Sequence, residues 1–191
     1  MLRHHNYVSV LFPSLLQPIV DLFGLMEKQG TGDPNEVQAS PAENGYAASI
    51  AVLTVLVIES VCNRVRYVRN DTDRKGTVQT LSELSAGELA DEVEELFVLR
   101  DVIAHNHVWE ATIAEHDSKG LALVAATLRP RYGDEKFART VDPQTRRTRR
   151  LHLDVFPNRI HRQTAVVVLQ NASRSSASSR APAGAATPSS T

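Results

Sequence analysis

The chain has 191 residues, of which 42% are hydrophobic, enough for one domain with a real core and an appendage. A formal net charge of -1 excludes a uniformly basic surface, so any contact with a polyanion must come from a local cluster. The single cysteine, Cys62, excludes an internal disulfide, and beside Ile58, Ser60 and Val61 it reads as an inert buried thiol in a reducing compartment.

Near the N-terminus, Arg3 precedes an apolar stretch, but Pro13 and Pro18 interrupt it and Asp21 follows without a small-residue cleavage site. No secretory signal is therefore expected. Leu15, Ile19, Leu22, Phe23 and Met26 recur at helical spacing and predict a first helix over 14–28, its regular part beginning close to Pro18. A polar loop with Pro34 and Pro41 should follow to about Asn44.

A second helix is predicted over 45–68. Its first half is apolar nearly all round, the pattern of a buried central helix. The apolar run 46–58 is shorter than the roughly 20 residues of a bilayer span, so a soluble cytoplasmic protein with no membrane partner is expected. Arg64, Arg66 and Arg69 suit the C-terminal end of the helix dipole. After a loop at 70–76, Ser85 and Glu88 match a capping box opening a third helix. Glu88, Asp91, Glu92, Glu94 and Glu95 crowd its early turns, and it is expected to run to about Glu115.

Residues 121–128 are apolar and fit either helix or strand. From 129 to 150 the chain is strongly basic (Arg129, Arg131, Lys136, Arg139, Arg146, Arg147, Arg149, Arg150), and its prolines and Gly133 predict an irregular or hairpin-like excursion. Residues 151–155 alternate like a short strand, and 159–170 fit a final short helix. From Asn171 onward Ser, Ala, Pro and Gly dominate, a composition expected to stay disordered.

The chemistry concentrates in Arg100-Asp101-Val102-Ile103-Ala104-His105-Asn106-His107. Arginine is a permanent cation matched to phosphate, and histidine exchanges protons near neutral pH. Asp101 and His105, at i and i+4, can meet on one helical face. Arg100 and His105 stand about 140° apart on a straight helix, so they converge only if the helix loosens or a second subunit completes the site.

Residues 99–106 resemble the signature of the HEPN superfamily: an arginine, a polar residue, then a histidine after four to six intervening positions, on a late helix of a helical bundle. Both His105 and His107 satisfy the spacing, and the resemblance covers roughly residues 6–116. It implies an all-α, up-and-down bundle, taken here over 6–128, to which composition and pattern add a basic extension over 129–170 with a possible strand and final helix, and a disordered tail over 171–191. It also implies a homodimer that cleaves RNA without cofactor or divalent metal. Arg100 would bind the scissile phosphate, and His105 would move the proton of the ribose 2′-hydroxyl or of the leaving oxygen. Asp101 would orient either residue, and His107 is the alternate histidine.

Each feature has a plainer reading. Arg100 could be tied to an acid such as Glu59, with His105 capping a carbonyl. A metal site adding Glu110, Glu115 or His116 is disfavoured, because His105 and His107 at i and i+2 cannot share a metal on a regular helix. Trp109 could stack on a base or pack in the core or a dimer interface. Arg146, Arg147, Arg149 and Arg150 could grip RNA, or the basic run could neutralise the acidic start of the third helix. The expected function is an endoribonuclease of the toxin or phage-defence kind. The alternative is a non-catalytic dimer that binds RNA or a protein partner, such as an antitoxin or a nucleotidyltransferase.

Overall fold

The computed structural model describes residues 12–29, 39–73, 75–84, 87–105, 109–116, 120–128 and 135–178. These are mostly helical, with two short antiparallel strand pairs. Helix α1 (Phe12–Glu27) packs on α2 (Pro41–Val68), which also packs against α4 (Gly87–Ala104) and α6 (Arg162–Ser178), and α3 (Thr77–Glu83) fills in beside α2 and α4.

Helix α2 starts earlier than its apolar periodicity suggests. Ser40 Oγ accepts the Glu43 N–H at 3.2 Å, and Pro41 occupies the first turn, where its missing donor costs nothing. An 18-residue stretch of α2 has a mean hydropathy of 1.9, so the helix is long and apolar enough to cross a bilayer by length and composition. It is mostly a core helix: Ala47, Ile50, Ala51, Val55 and Ile58 are buried with Met26 of α1, Leu96 and Leu99 of α4, and Val168 of α6. Cys62 lies in the same core at 2% exposure, and burial pushes its thiol up to about 11. At the end of α2, Asn70 takes the left-handed conformation (φ 58°) that closes a helix, and the Arg66 guanidinium bonds the Lys75 carbonyl at 2.7 Å, folding the loop back.

The third helix of the sequence reading, α4, is shorter than predicted. It ends at Ala104, and Trp109–His116 is strand β1, paired antiparallel with β2 (Gly120–Leu128) through a bulge at Thr112/Ile113. Histidine and asparagine are weak helix formers, and Trp109, Thr112 and Ile113 favour a pleated chain with the apolar 121–128 run as partner. The all-α expectation is corrected to this extent, and the 121–128 ambiguity resolves as strand. Ser85, the expected N-cap of α4, lies outside the described residues.

The basic stretch folds onto the bundle. Helix α5 (Glu135–Thr140) leads into a hairpin of β3 (Val141–Asp142) and β4 (Arg147–Thr148). Asp142 Oδ1 accepts the Gln144 N–H at 2.8 Å, which lowers its carboxyl below the usual range and sets the turn. Phe137, Val141 and Val155 close a small apolar cluster on Val98 and Val102 of α4. The strand expected over 151–155 is only a single bridge, Asp154 to Arg147. Helix α6 continues to Ser178, past the point where disorder was expected. Asn171, Ala172 and Ser175 are buried, and Glu92 of α4 accepts from Asn171 Nδ2 (2.5 Å) and pairs with Arg174 (2.9 Å), a tertiary anchor that composition does not reveal.

Candidate functional site

Arg100 and Asp101 lie in the last turn of α4, and His105 follows its end, its N–H still donating to the Asp101 carbonyl at 2.9 Å. Asp101 is the hub. Its Oδ1 faces Arg100 Nε at 3.1 Å and His105 Nε2 at 3.9 Å, and its Oδ2 accepts from Lys136 Nζ of α5 at 2.6 Å. Arg100 and His105 thus flank one carboxylate oxygen within a single chain, although they stand on different faces of the helix. The flexible arginine side chain supplies the convergence that straight-helix geometry denies the backbone. At 3.9 Å the His105 contact is too long for a hydrogen bond.

Arg100 is held from three sides. Asp101 lies against Nε, Glu59 of α2 is 3.9 Å from a terminal nitrogen, and the Phe97 ring lies under the guanidinium at 5.3 Å. The Nε–H is buried without an aligned acceptor, so charge rather than a directed hydrogen bond fixes that edge. The Arg100 side chain is 26% exposed and that of His105 66%. The arginine is therefore positioned by the fold, and the imidazole is open to solvent.

Glu59, Phe97 and Lys136 line an open cleft of about 450 Å³, together with Asn63, Lys75 and Thr77. Arg100 does not itself line the cleft but touches two of its walls, Glu59 and Phe97, and Lys136 and Lys75 face it together with the carboxylates of Glu59 and Glu94. Glu59 was foreseeable as a partner of Arg100. Lys136 was visible only as one member of the basic run, and its pairing with Asp101 spans 35 residues of sequence.

Other candidates are placed as follows. His107 lies outside the described residues. Trp109 opens β1, opposite Leu128, and is not on the motif helix. Glu110, Glu115 and His116 are also on β1, and among the described residues no three His, Cys, Asp or Glu side chains gather as a metal site requires. In the basic stretch, Arg150 pairs with Asp91 at 2.6 Å and Arg139 with Glu94 at 2.5 Å, so these two neutralise the acidic turns of α4. Arg149 Nε donates to the Arg139 carbonyl at 2.9 Å. Arg146, with a left-handed backbone (φ 58°), and Arg147 belong to the β3–β4 hairpin, and neither side chain is tied to an acid among the described residues. No known family model, curated protein or solved structure matches the chain.

Proposed function

We propose that this chain is a metal-independent endoribonuclease of the HEPN type, working as a homodimer in a toxin or phage-defence setting. The observation that supports it is the single Asp101 oxygen between Arg100 and His105, beside an open cleft. In this reading the ribose 2′-hydroxyl attacks the adjacent phosphorus. His105 takes or returns the proton, and Arg100 and Lys136 neutralise the charge that builds on the phosphate oxygens. The 5′-oxygen leaves with a proton, and the other fragment ends in a 2′,3′-cyclic phosphate. Asp101 is a positioning residue. Arg146 and Arg147 are free to guide the RNA backbone, with Arg149 and Arg150 more firmly tied to the protein.

The test is cleavage of a labelled RNA by the purified protein in EDTA. Wild type is expected to give cyclic-phosphate ends and to spare DNA and 2′-O-methyl RNA. Arg100→Ala and His105→Ala are each expected to lose at least a hundredfold in rate, the scale of one acid–base or charge-stabilising group. Wild type that leaves RNA intact sinks the reading. Activity that survives His105→Ala and dies in His107→Ala moves the role to the second histidine.

A second reading, a non-catalytic module that binds RNA or a protein partner such as an antitoxin or nucleotidyltransferase, is favoured by one observation. Arg100 already has Asp101 and Glu59 as counter-charges and must exchange them to hold a phosphate.

A further inference from the structure

A second cavity, of about 280 Å³, shares no lining residue with the cleft beside Arg100. It lies where the β3–β4 hairpin and the 151–154 loop meet the start of α6. Its walls carry four basic side chains, Arg147, His152, Arg159 and His161, and one acid, Asp154. Asp154 is already engaged: its Oδ2 lies 3.1 Å from Arg159 Nε, and its Oδ1 accepts the Phe156 N–H at 3.0 Å. Arg147 is different. Arg139, Arg149, Arg150, Arg162 and Arg174 each hold a carboxylate or a carbonyl, whereas no partner holds the Arg147 guanidinium among the described residues.

The His161 ring is held in place. Thr164 Oγ1 accepts the His161 backbone N–H at 3.4 Å and lies 3.2 Å from His161 Nδ1. With Nδ1 engaged by the hydroxyl, Nε2 is the ring atom left to meet a ligand, and it donates whenever it carries the proton. Gln163 and Thr164 add their first-turn N–H groups, for which a helix has no acceptor of its own. The buried carboxylate of Glu43 sits at the same helix end, but it is taken by the Arg162 N–H at 3.0 Å and does not line the cavity. Leu151, Leu153 and Val167 give the cavity an apolar side.

We infer that this cavity binds a phosphomonoester, the terminal phosphate of a mononucleotide or of an RNA 5′ end. A dianion matches an unpaired guanidinium, an imidazole that can donate through Nε2 and the first turn of a helix, and the apolar side accommodates a sugar or base. The volume, about 280 Å³, lies just below the roughly 300–1,000 Å³ of small-molecule sites, which suits a phosphate with part of one nucleotide. Arg147 is shared with the RNA-guiding role proposed above, but the inference does not rest on that role and holds whether or not Arg100 and His105 are catalytic.

The experiment is an NMR titration of the ¹⁵N-labelled full chain with inorganic phosphate, AMP and adenosine, and with a short RNA bearing either a 5′-phosphate or a 5′-hydroxyl. The Gln163 and Thr164 amides are expected to shift saturably with phosphate and AMP, and adenosine is expected to leave them in place. Arg147→Ala should weaken AMP binding at least tenfold, and Gln163→Glu should do the same by repulsion without touching the arginine. Arg64→Ala, on α2 and outside the cavity, should stay within twofold of wild type. Tighter binding of the 5′-phosphorylated RNA than of AMP identifies an RNA end as the natural source, and equal binding identifies a free nucleotide. Absence of saturable shifts, equal binding of adenosine and AMP, or wild-type affinity in both cavity variants overturns the inference.

Discussion

A carboxylate that faces Arg100 Nε at 3.1 Å and Lys136 Nζ at 2.6 Å ties the end of α4 to α5 and also sets the charge around the residues proposed for chemistry. Asp101→Asn keeps the shape and removes the charge. The lost ion pairs, partly buried, are expected to lower stability by about 1–2 kcal/mol in a urea titration. In the RNA-cleaving reading kcat should fall, because His105 loses its counter-charge, and KM should not rise, because Arg100 is released toward the phosphate. A KM that rises in step with the fall in kcat would show that Asp101 shapes the binding surface instead. Much of this cluster was legible in the sequence. Arg100, Asp101 and His105 are local, and a carboxylate in an apolar helix, Glu59, needs a cationic partner wherever it is. Lys136 was not legible as a member, because no local pattern says which of eight basic residues in 129–150 returns to the end of α4.

Two buried glutamates clip the C-terminal part of the chain onto the helices. Glu95 of α4, 2% exposed, accepts the backbone N–H of Arg150 and of Leu151, each at 2.8 Å. Glu43 of α2 accepts that of Arg162 at 3.0 Å, and the neighbouring Asn44 bonds the carbonyls of Pro157 and Ile160. Glu95→Ala leaves two backbone donors without an acceptor inside a packed junction. It is expected to cost about 2–4 kcal/mol in chemical denaturation, since hydrogen bonds to charged groups contribute about 1.5–3 kcal/mol each and are partly replaced by water. Glu95→Gln, which keeps an acceptor, should lose less than half as much. Equal losses would mean that side-chain volume and not the accepted N–H groups matters at this position. These clips explain which parts of the fold could be read in advance. Helices α1, α2 and α4 announce themselves through local periodicity, but the start of α2 at Ser40-Pro41-Ala42-Glu43 fell in a stretch read as loop to about Asn44, because the apolar pattern begins only after the cap. The β1–β2 hairpin was harder, because an apolar run such as 121–128 fits two periods equally well. The attachment of 149–162 depends on partners 55 and 119 residues away, and no local pattern records such distances.

At the scale of the molecule, the question is whether the C-terminal third is an appendage or part of the core. Ala165, Val168 and Ala172 of α6 share one buried cluster with Ile50 of α2 and Leu96 of α4, so α6 covers apolar surface that the N-terminal helices would otherwise show to water. Its last two turns add the buried Asn171 and Ser175 and two contacts to Glu92. A chain ending at residue 170 keeps Ala165 and Val168 but loses Ala172 and both contacts to Glu92, which leaves that carboxylate partly buried without its cationic partner. The net loss is expected to be about 2 kcal/mol, after the entropy of ordering the last turns is set against the lost bonds. Against the 5–15 kcal/mol of a typical domain, that displaces the urea midpoint without abolishing folding. The substitution Ala172→Asp separates packing from chain length, since it keeps every residue and places a carboxylate in the buried cluster near Glu92. If the 170-residue chain and Ala172→Asp both unfold at the wild-type midpoint, the outer half of α6 contributes nothing and the composition-based boundary at Asn171 was the better one. If both fall, the core extends through α6.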